Sequence, residues 1–251
     1  MTGFEGRRIV ITGAGGGVGQ ALTGAFAALG GDVVACDLTE TDLTGPDIAE
    51  AHYFDQRDGD AIARAAKAIL AGGTPSVVVL NAGRTRQETL ETTTPEGILA
   101  ELNLNFTGAA LLTHALLAKM RRLPGDRAFV FVSSVNASAH HGNPTYSAAK
   151  AGILAWMRAL AVEEGAHGIR ANAVAPGSIR TNAWEHRLRT DPDLLHRVGA
   201  LYPLGRIVTT SEVANAVTFL ASAAASGITG TTLKVDAGLS AGNLPFLNAI
   251  R

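Results

Sequence analysis

The chain has 251 residues, 47% of them hydrophobic, a formal net charge of −1 and one cysteine. That length holds one large α/β domain or two small ones, each with a real core. The near-neutral charge, without a basic run, argues against nucleic acid or an anionic membrane as partner, and the lone cysteine excludes a disulfide framework within the chain. No apolar run reaches the length of a membrane span and the start lacks a signal-peptide pattern, so a cytoplasmic protein in a reducing compartment is expected. Cys36 lies in an apolar run and reads as a small core residue.

In chain order, Arg7 to Thr12 (RRIVIT) predicts a short buried strand. It runs into Gly13-Ala14-Gly15-Gly16-Gly17-Val18-Gly19, and a helical pattern follows through Leu22, Phe26 and Leu29 to a stop at Gly30-Gly31. Asp32 to Cys36 is the next strand and ends at Asp37. Strand, glycine turn, helix and strand in about thirty residues is the sequence form of a βαβ unit. Ala51 to Phe54 predicts a weak strand ending at Asp55, Asp58 to Ala71 a helix, and Ser76 to Leu80 a buried strand that breaks at Asn81-Ala82-Gly83. Arg84 to Thr94 is a polar loop.

From Pro95 a helix is expected to about Arg122, with Ile98, Leu102, Asn105, Ala109, Leu112 and Leu116 on its apolar face. Ala128 to Val132 predicts a strand ending at Ser133-Ser134. A long helix runs from Tyr146 to about Glu164, with Asn143 as N-cap and Pro144 in the first turn. Ile169 to Val174 is a strand ending at Pro176-Gly177. Residues 180–202 are polar and uneven, and predict a mobile lid. Ser211 to Ser222 is a helix with a capping-type start at Thr210 or Ser211, and Thr232 to Val235 is a last strand. No linker or composition shift divides the chain, so residues 1–251 are expected to form a single domain. The alternation of strands and helices predicts one parallel sheet covered on both faces, with ligands beyond the carboxyl ends of its strands.

The residues at those ends carry chemistry. A glycine-rich turn between strand and helix lets backbone approach a pyrophosphate and aims a helix N-terminus at it. Asp37 can accept bonds from ribose hydroxyls and repels a 2′-phosphate. No Arg or Lys lies between Thr12 and Asp37 to receive that phosphate, so NAD is favoured over NADP. Tyr146 and Lys150, four apart, share a helix face. An ammonium ~4 Å from the phenol contributes about 4 kcal/mol at an effective dielectric near 20. That would lower the Tyr146 pKa by about 3 pH units before desolvation opposes it. A Tyr-x-x-x-Lys pair is common, and alone it fits an ordinary amphipathic helix with a surface lysine better. His140-His141 lack ligand spacing and an accompanying carboxylate cluster, so no metal is expected.

In order and at these separations, Thr12-Gly13, Gly17-Val18-Gly19, Asn81-Ala82-Gly83, Asn105, Ser134, Tyr146 with Lys150, Pro176-Gly177 with Thr181, Pro203-Leu204-Gly205-Arg206 and Thr229-Gly230 before Val235-Asp236 resemble a short-chain dehydrogenase/reductase of the compact single-domain type, over nearly the whole chain. The resemblance implies a seven-stranded, Rossmann-type, doubly wound parallel α/β sheet with helices on both faces. It implies reversible hydride transfer between a nicotinamide and an alcohol or carbonyl. Tyr146 would be the acid/base, Lys150 would depress its pKa and hold the nicotinamide ribose, Ser134 would donate to the substrate oxygen, and Asn105 would hold a water linking Lys150 to solvent. Gly13, Gly16, Gly17, Val18, Asp37, Leu38, Asp55, Gln56, Asn81, Ala82, Gly83, Tyr146, Lys150, Pro176, Gly177, Ile179 and Thr181 would bind NAD, with Asp55 and Gln56 at the adenine.

The chain departs from the pattern at Leu80, where an Asn is frequent, and at Asp236-Ala237-Gly238, where Asp-Gly-Gly is usual. The loop from Ser134 to Tyr146 is one residue short, which makes Ser133 a rival for the serine role. Substrate contacts are expected from Ser134, Asn136, His141, Tyr146, Arg180 and Trp184. The polar side chains of 136–143 and 180–202, with Ser138, His140, Asn182, His186 and Arg187 among them, favour a small sugar, polyol or sugar acid over a greasier substrate. A 3-oxoacyl-thioester reductase and a non-catalytic nicotinamide-binding regulator are the competing readings. The family pattern implies a homotetramer, with the Asn105 and Tyr146 helices and the tail from Leu244 to Arg251 at its interfaces.

Overall fold

The structure, a computed structural model, describes residues 3–181, 184 and 188–250. Seven parallel strands form one sheet in the order β3-β2-β1-β4-β5-β6-β9. They are β1 Arg8–Thr12, β2 Asp32–Asp37, β3 Glu50–Tyr53, β4 Val77–Leu80, β5 Arg127–Val132, β6 Ile169–Pro176 and β9 Thr232–Val235. In the five inner strands β2, β1, β4, β5 and β6, runs of Val, Ile, Ala and Phe are buried on both faces, as a covered parallel sheet requires, while the edge strands β3 and β9 are partly exposed. Helices α1 (Gly17–Ala28) and α7 (Thr210–Ala221) cover one face, where Leu22, Phe26, Val213 and Val217 pack on Ile9, Ile11 and Val79. Helices α2 (Gly59–Ala71), α4 (Gly108–Met120) and α5 (Pro144–Glu163) cover the other, where Ile62, Leu112 and Met157 pack on Val78 and Phe129. The chain winds outward through β1, β2 and β3, then returns to β4 on the other side of β1. The crevice at the carboxyl ends of β1 and β4 is therefore the topological switch point, where ligands of such sheets bind.

Short elements join the predicted ones: strands β7 (Ile179–Arg180) and β8 (Val208–Thr209), which pair with each other, and helices α6 (Leu194–Gly199) and α8 (Leu244–Ala249). The helix expected from Pro95 to Arg122 is not continuous. An α-helical segment, α3 (Pro95–Leu102), passes through a π-helical turn at Asn103–Thr107 into α4. Side chains take up the carbonyls that this disturbs. Gln56 Nε2 donates to Leu104 O at 2.9 Å, and Asn105 Nδ2 donates to Glu101 O at 3.2 Å. The wider turn rotates α3 against α4 by roughly a quarter turn. This corrects the expected apolar face: Ile98 is exposed, and Glu101 takes the buried position.

Two caps also differ from expectation. Asn143 stands at the N-cap of α5 with φ 55°, and its side chain does not cap the helix. Instead its Oδ1 accepts from Glu88 N at 3.1 Å, while Glu88 Oε1 accepts from Thr145 N at 2.9 Å. The cap of α5 is thus supplied by the loop after β4. Helix α7 is capped by Thr209, one residue earlier than expected, in a reciprocal capping box with Glu212.

Candidate active site

The glycine turn owes its shape to close backbone approach. Gly13 has φ 67°, and a Cβ there would meet Ala82 Cα at 2.8 Å. A Cβ on Gly19 would stand 2.0 Å from Gly13 O. Thr12 and Asn81 lock this turn to the end of β4. Thr12 Oγ1 accepts from Asn81 N and Ala82 N at 3.1 and 3.0 Å, and Asn81 Nδ2 donates to the carbonyls of Thr12 and Gly13, both at 3.0 Å. Helix α1 begins at Gly17 with no side-chain cap and no acid in its first turn. Its N-terminal N–H groups and positive dipole end therefore face the crevice uncompensated, which fits a pyrophosphate.

The cleft over these loops has a volume of about 690 Å³. Gly13, Gly16, Gly17, Val18, Asp37, Leu38, Asp55, Gln56, Asn81, Ala82, Gly83, Pro176, Gly177, Ile179 and Thr181 all line it, as do Ser134, Tyr146 and Lys150. At one end the Asp37 carboxylate accepts from Gly15 N at 2.9 Å and from Leu38 N at 2.8 Å. Beside it, Asp55 is bound by the Arg57 guanidinium, which holds its carboxyl below the usual range. Thr41, Arg57 and Arg84 also line the cleft and were not anticipated. They lie on loops, where periodicity carries no signal; Arg57 was approachable only as the neighbour of Asp55.

At the other end, β5 delivers two serines with opposite fates. Ser133 is buried and its Oγ donates to Lys150 O at 3.0 Å, which pins α5 to the sheet. Ser134 Oγ accepts from Asn136 N at 3.2 Å and stands beside Tyr146. Of the two rivals, Ser134 is the one that meets the phenol. Lys150 is buried. Its Nζ donates to Val132 O at 2.9 Å and lies 5.6 Å from the centroid of the Tyr146 ring. Burial pulls the Lys150 ammonium down to about 8, with the Glu101 carboxylate acting against it. Burial also pushes the Tyr146 phenol up, with Ser134 opposing. The expected depression of Tyr146 by Lys150 is not met in this arrangement: burial outweighs the Ser134 hydrogen bond, and the Glu101 carboxylate adds to the rise.

Asn105 sits behind this wall, buried on the π turn. Its Oδ1 has no partner and bears on Gly83, where a Cβ would stand 2.6 Å from Oδ1 and 3.1 Å from Lys150 Nζ. A water over Gly83 would find a buried acceptor and a donor together. The buried Gln56 Oε1 is likewise unpartnered at the cleft.

The expected substrate contacts are less well gathered. Asn136 turns its amide into its own loop, donating to Gly142 O at 2.8 Å and Ser147 Oγ at 3.2 Å. His141 and Arg180 are exposed, and with Asn136 and Trp184 they fall outside the cleft lining. Asn182, His186 and Arg187, and with them part of the expected lid, lie outside the described residues. Among the described residues no three His, Cys, Asp or Glu side chains cluster as metal ligands, and no helix is long and apolar enough to cross a membrane.

Known proteins are similar to this chain in sequence and fold. The family model described as enoyl-(acyl carrier protein) reductase matches residues 13–240. An oxidoreductase of the short-chain dehydrogenase/reductase family from Burkholderia thailandensis is 41% identical, superposes with a TM-score of 0.87, and the match covers 97% of this chain and 96% of that one. An acetoacetyl-CoA reductase from Shinella zoogloeoides is 35% identical over 92% of this chain and 98% of its own, and an L-fucose dehydrogenase from Bos taurus is 33% identical over 96% and 92%. With a nucleotide-shaped crevice at the switch point and a serine, tyrosine and lysine gathered at its end, the chain belongs to the short-chain dehydrogenase/reductase family and is an oxidoreductase acting on CH–OH groups.

Proposed function

We propose that this protein is an NAD-dependent dehydrogenase that oxidises a secondary alcohol of a small polar metabolite such as a sugar, polyol or sugar acid. The observation that carries the cofactor choice is Asp37. Two backbone N–H groups hold its carboxylate at the cleft end, where it is placed to accept ribose hydroxyls and repel a 2′-phosphate. The likeness to an L-fucose dehydrogenase supports the polar alcohol. Asp55 and Gln56 are assigned to the adenine end, and Ile179 and Thr181 to the carboxamide and phosphate side.

A nicotinamide, when bound, supplies the hydride acceptor or donor. The chain handles the proton. Ser134 donates a hydrogen bond to the substrate oxygen as negative charge develops on it. Tyr146 takes the hydroxyl proton in oxidation and returns it in reduction. Lys150 holds positive charge beside the phenol, and the space between Asn105 Oδ1 and Lys150 Nζ suits a water leading to solvent. We further assign residues 1–251 to one domain, with 180–202 as its lid over the substrate. A homotetramer in the cytoplasm completes the proposal. Leu99, Leu111 and Val162 on α3, α4 and α5, and Phe246, Leu247 and Ile250 in the tail, are exposed apolar side chains suited to its interfaces.

A second reading, reduction of a 3-oxoacyl thioester, is favoured by the likeness to an acetoacetyl-CoA reductase. Nicotinamide absorbance with NAD and NADP, against polyols, sugars, sugar acids and hydroxyacyl thioesters, separates the two. NAD turnover on a polar alcohol is expected, with Tyr146→Phe losing about 10³-fold in kcat while still binding NAD. Preference for NADP and a thioester would replace this reading with the second. NAD binding without turnover on any substrate would make the protein a regulator.

A further inference from the structure

Glu101 is 4% exposed, yet it is a carboxylate on the π-interrupted helix behind the cleft. Buried carboxylates need partners. Its Oε2 accepts from Asn105 Nδ2 at 2.8 Å, and its Oε1 lies 3.9 Å from Arg86 Nε at the surface. Three oxygens gather around one end of the Asn105 amide: Arg84 O at 3.0 Å, Glu101 O at 3.2 Å and Glu101 Oε2. That end must be the nitrogen. The other end, Oδ1, therefore turns to the space over Gly83 that Lys150 Nζ also borders. Carboxylate, amide, gap and ammonium form one line from the Arg86 surface to the floor of the cleft.

We infer that Glu101 is a positioning residue whose fixed negative charge, set behind the Asn105 amide, favours the protonated form of both the buried Lys150 ammonium and the Tyr146 phenol, and so raises the pH at which Tyr146 gives up its proton. This rests on the proton-transfer role proposed for Tyr146 and Lys150. The groups facing Glu101 are Arg84, Arg86 and Glu88 from the loop after β4, Asn105 from its own helix, and Tyr146 and Lys150 from α5. Burial, then Glu88, push the Glu101 carboxyl up, while Arg86, Arg84 and Asn105 pull it back. Its charge in turn favours the protonated form of both Lys150 and Tyr146. Removing that charge must shift both titrations to lower pH.

The test is a tyrosinate absorbance titration, with and without NAD, taking the difference between each protein and its Tyr146→Phe form. This isolates Tyr146 and needs no substrate. Glu101→Gln keeps an acceptor for Asn105 but loses the charge. Its Tyr146 midpoint is expected about one pH unit below that of the parent protein, while Glu101→Asp stays near the parent. Equal midpoints in the parent and Glu101→Gln would overturn the inference. Arg86→Gln, at the surface, serves if Glu101→Gln does not fold. It removes a compensating positive charge, so the midpoint is expected to rise, and no movement would also overturn the inference. Turnover with NAD is read separately, so failure of the proposed function is distinguishable from failure of this coupling.

Discussion

The two ends of the cleft are built from different materials. The glycine end is a wall of backbone: Gly13, Gly16, Gly17 and the uncapped start of α1, held by Thr12 and Asn81. The Tyr146 end is a wall of buried polar side chains, with Asn105, Ser133, Lys150 and Glu101 each tied to a neighbour. A backbone wall is specified by the volume it leaves empty. A polar side-chain wall is specified by charge and by hydrogen bonds satisfied in low dielectric. One is therefore vulnerable to an added methyl, the other to a lost proton.

Gly19→Ala tests the first wall. Its methyl would stand 2.0 Å from Gly13 O, where only backbone could yield. The expected result is a loss of about 1–3 kcal/mol in urea unfolding together with a large fall in NAD affinity. Normal NAD binding in this variant would mean that the turn gives way more readily than its packing indicates.

Lys150→Met keeps the second wall's volume and removes its charge. Burial draws the Lys150 ammonium down to about 8 from the ordinary 10.5. Below pH 8 the lysine is protonated both folded and unfolded, and the fold carries the cost of burying the charge. Between about 8 and 10.5 the unfolded chain binds the extra proton, so stability of the parent protein rises with pH. Lys150→Met is therefore expected to be inactive and more stable at pH 7, by up to about 3 kcal/mol. That advantage should shrink as the pH is raised from about 8 to 10.5. Urea midpoints across that range check it, and a variant less stable than the parent at pH 7 contradicts it.

Glu212 lines neither wall and gives the smallest effect. Arg206, then the Thr209 backbone, hold its carboxyl down at about 2, against an ordinary 4.5. A depressed carboxylate stabilises above its unfolded value and loses that contribution as pH falls through the folded one. Glu212→Gln should thus be destabilised by no more than about 1 kcal/mol at pH 7, given its exposure. The difference should fade between pH 4.5 and 2, and activity should be unchanged. A deficit independent of pH would assign the effect to the cap geometry alone.

Most of the sheet was legible because buried parallel strands are continuous runs of β-branched and small apolar residues, as in Arg8–Thr12 and Val77–Leu80. That Ser134, Tyr146 and Lys150 would line one cleft was legible through motif resemblance, since they come from separate elements. What stayed hidden depends on contacts the chain order does not reveal. Glu101 became a buried residue only because the π turn changed the phase of its helix, which a fixed period of 3.6 cannot express. The cap of α5 came from Glu88, 57 residues before Thr145. Ala237, where the family pattern usually has glycine, adopts φ 49°, a left-handed backbone that sequence alone would not assign to alanine.

That remote cap has a kinetic meaning. The first turn of the helix that carries Tyr146 and Lys150 has its N–H group at Thr145 closed by a loop belonging to another strand, and the loop in turn is held by Asn143. Neither partner is closed without the other, so loop and helix start constitute one local unfolding unit. Opening of that unit, which does not need the whole sheet to unfold, would loosen the helix start next to the phenol.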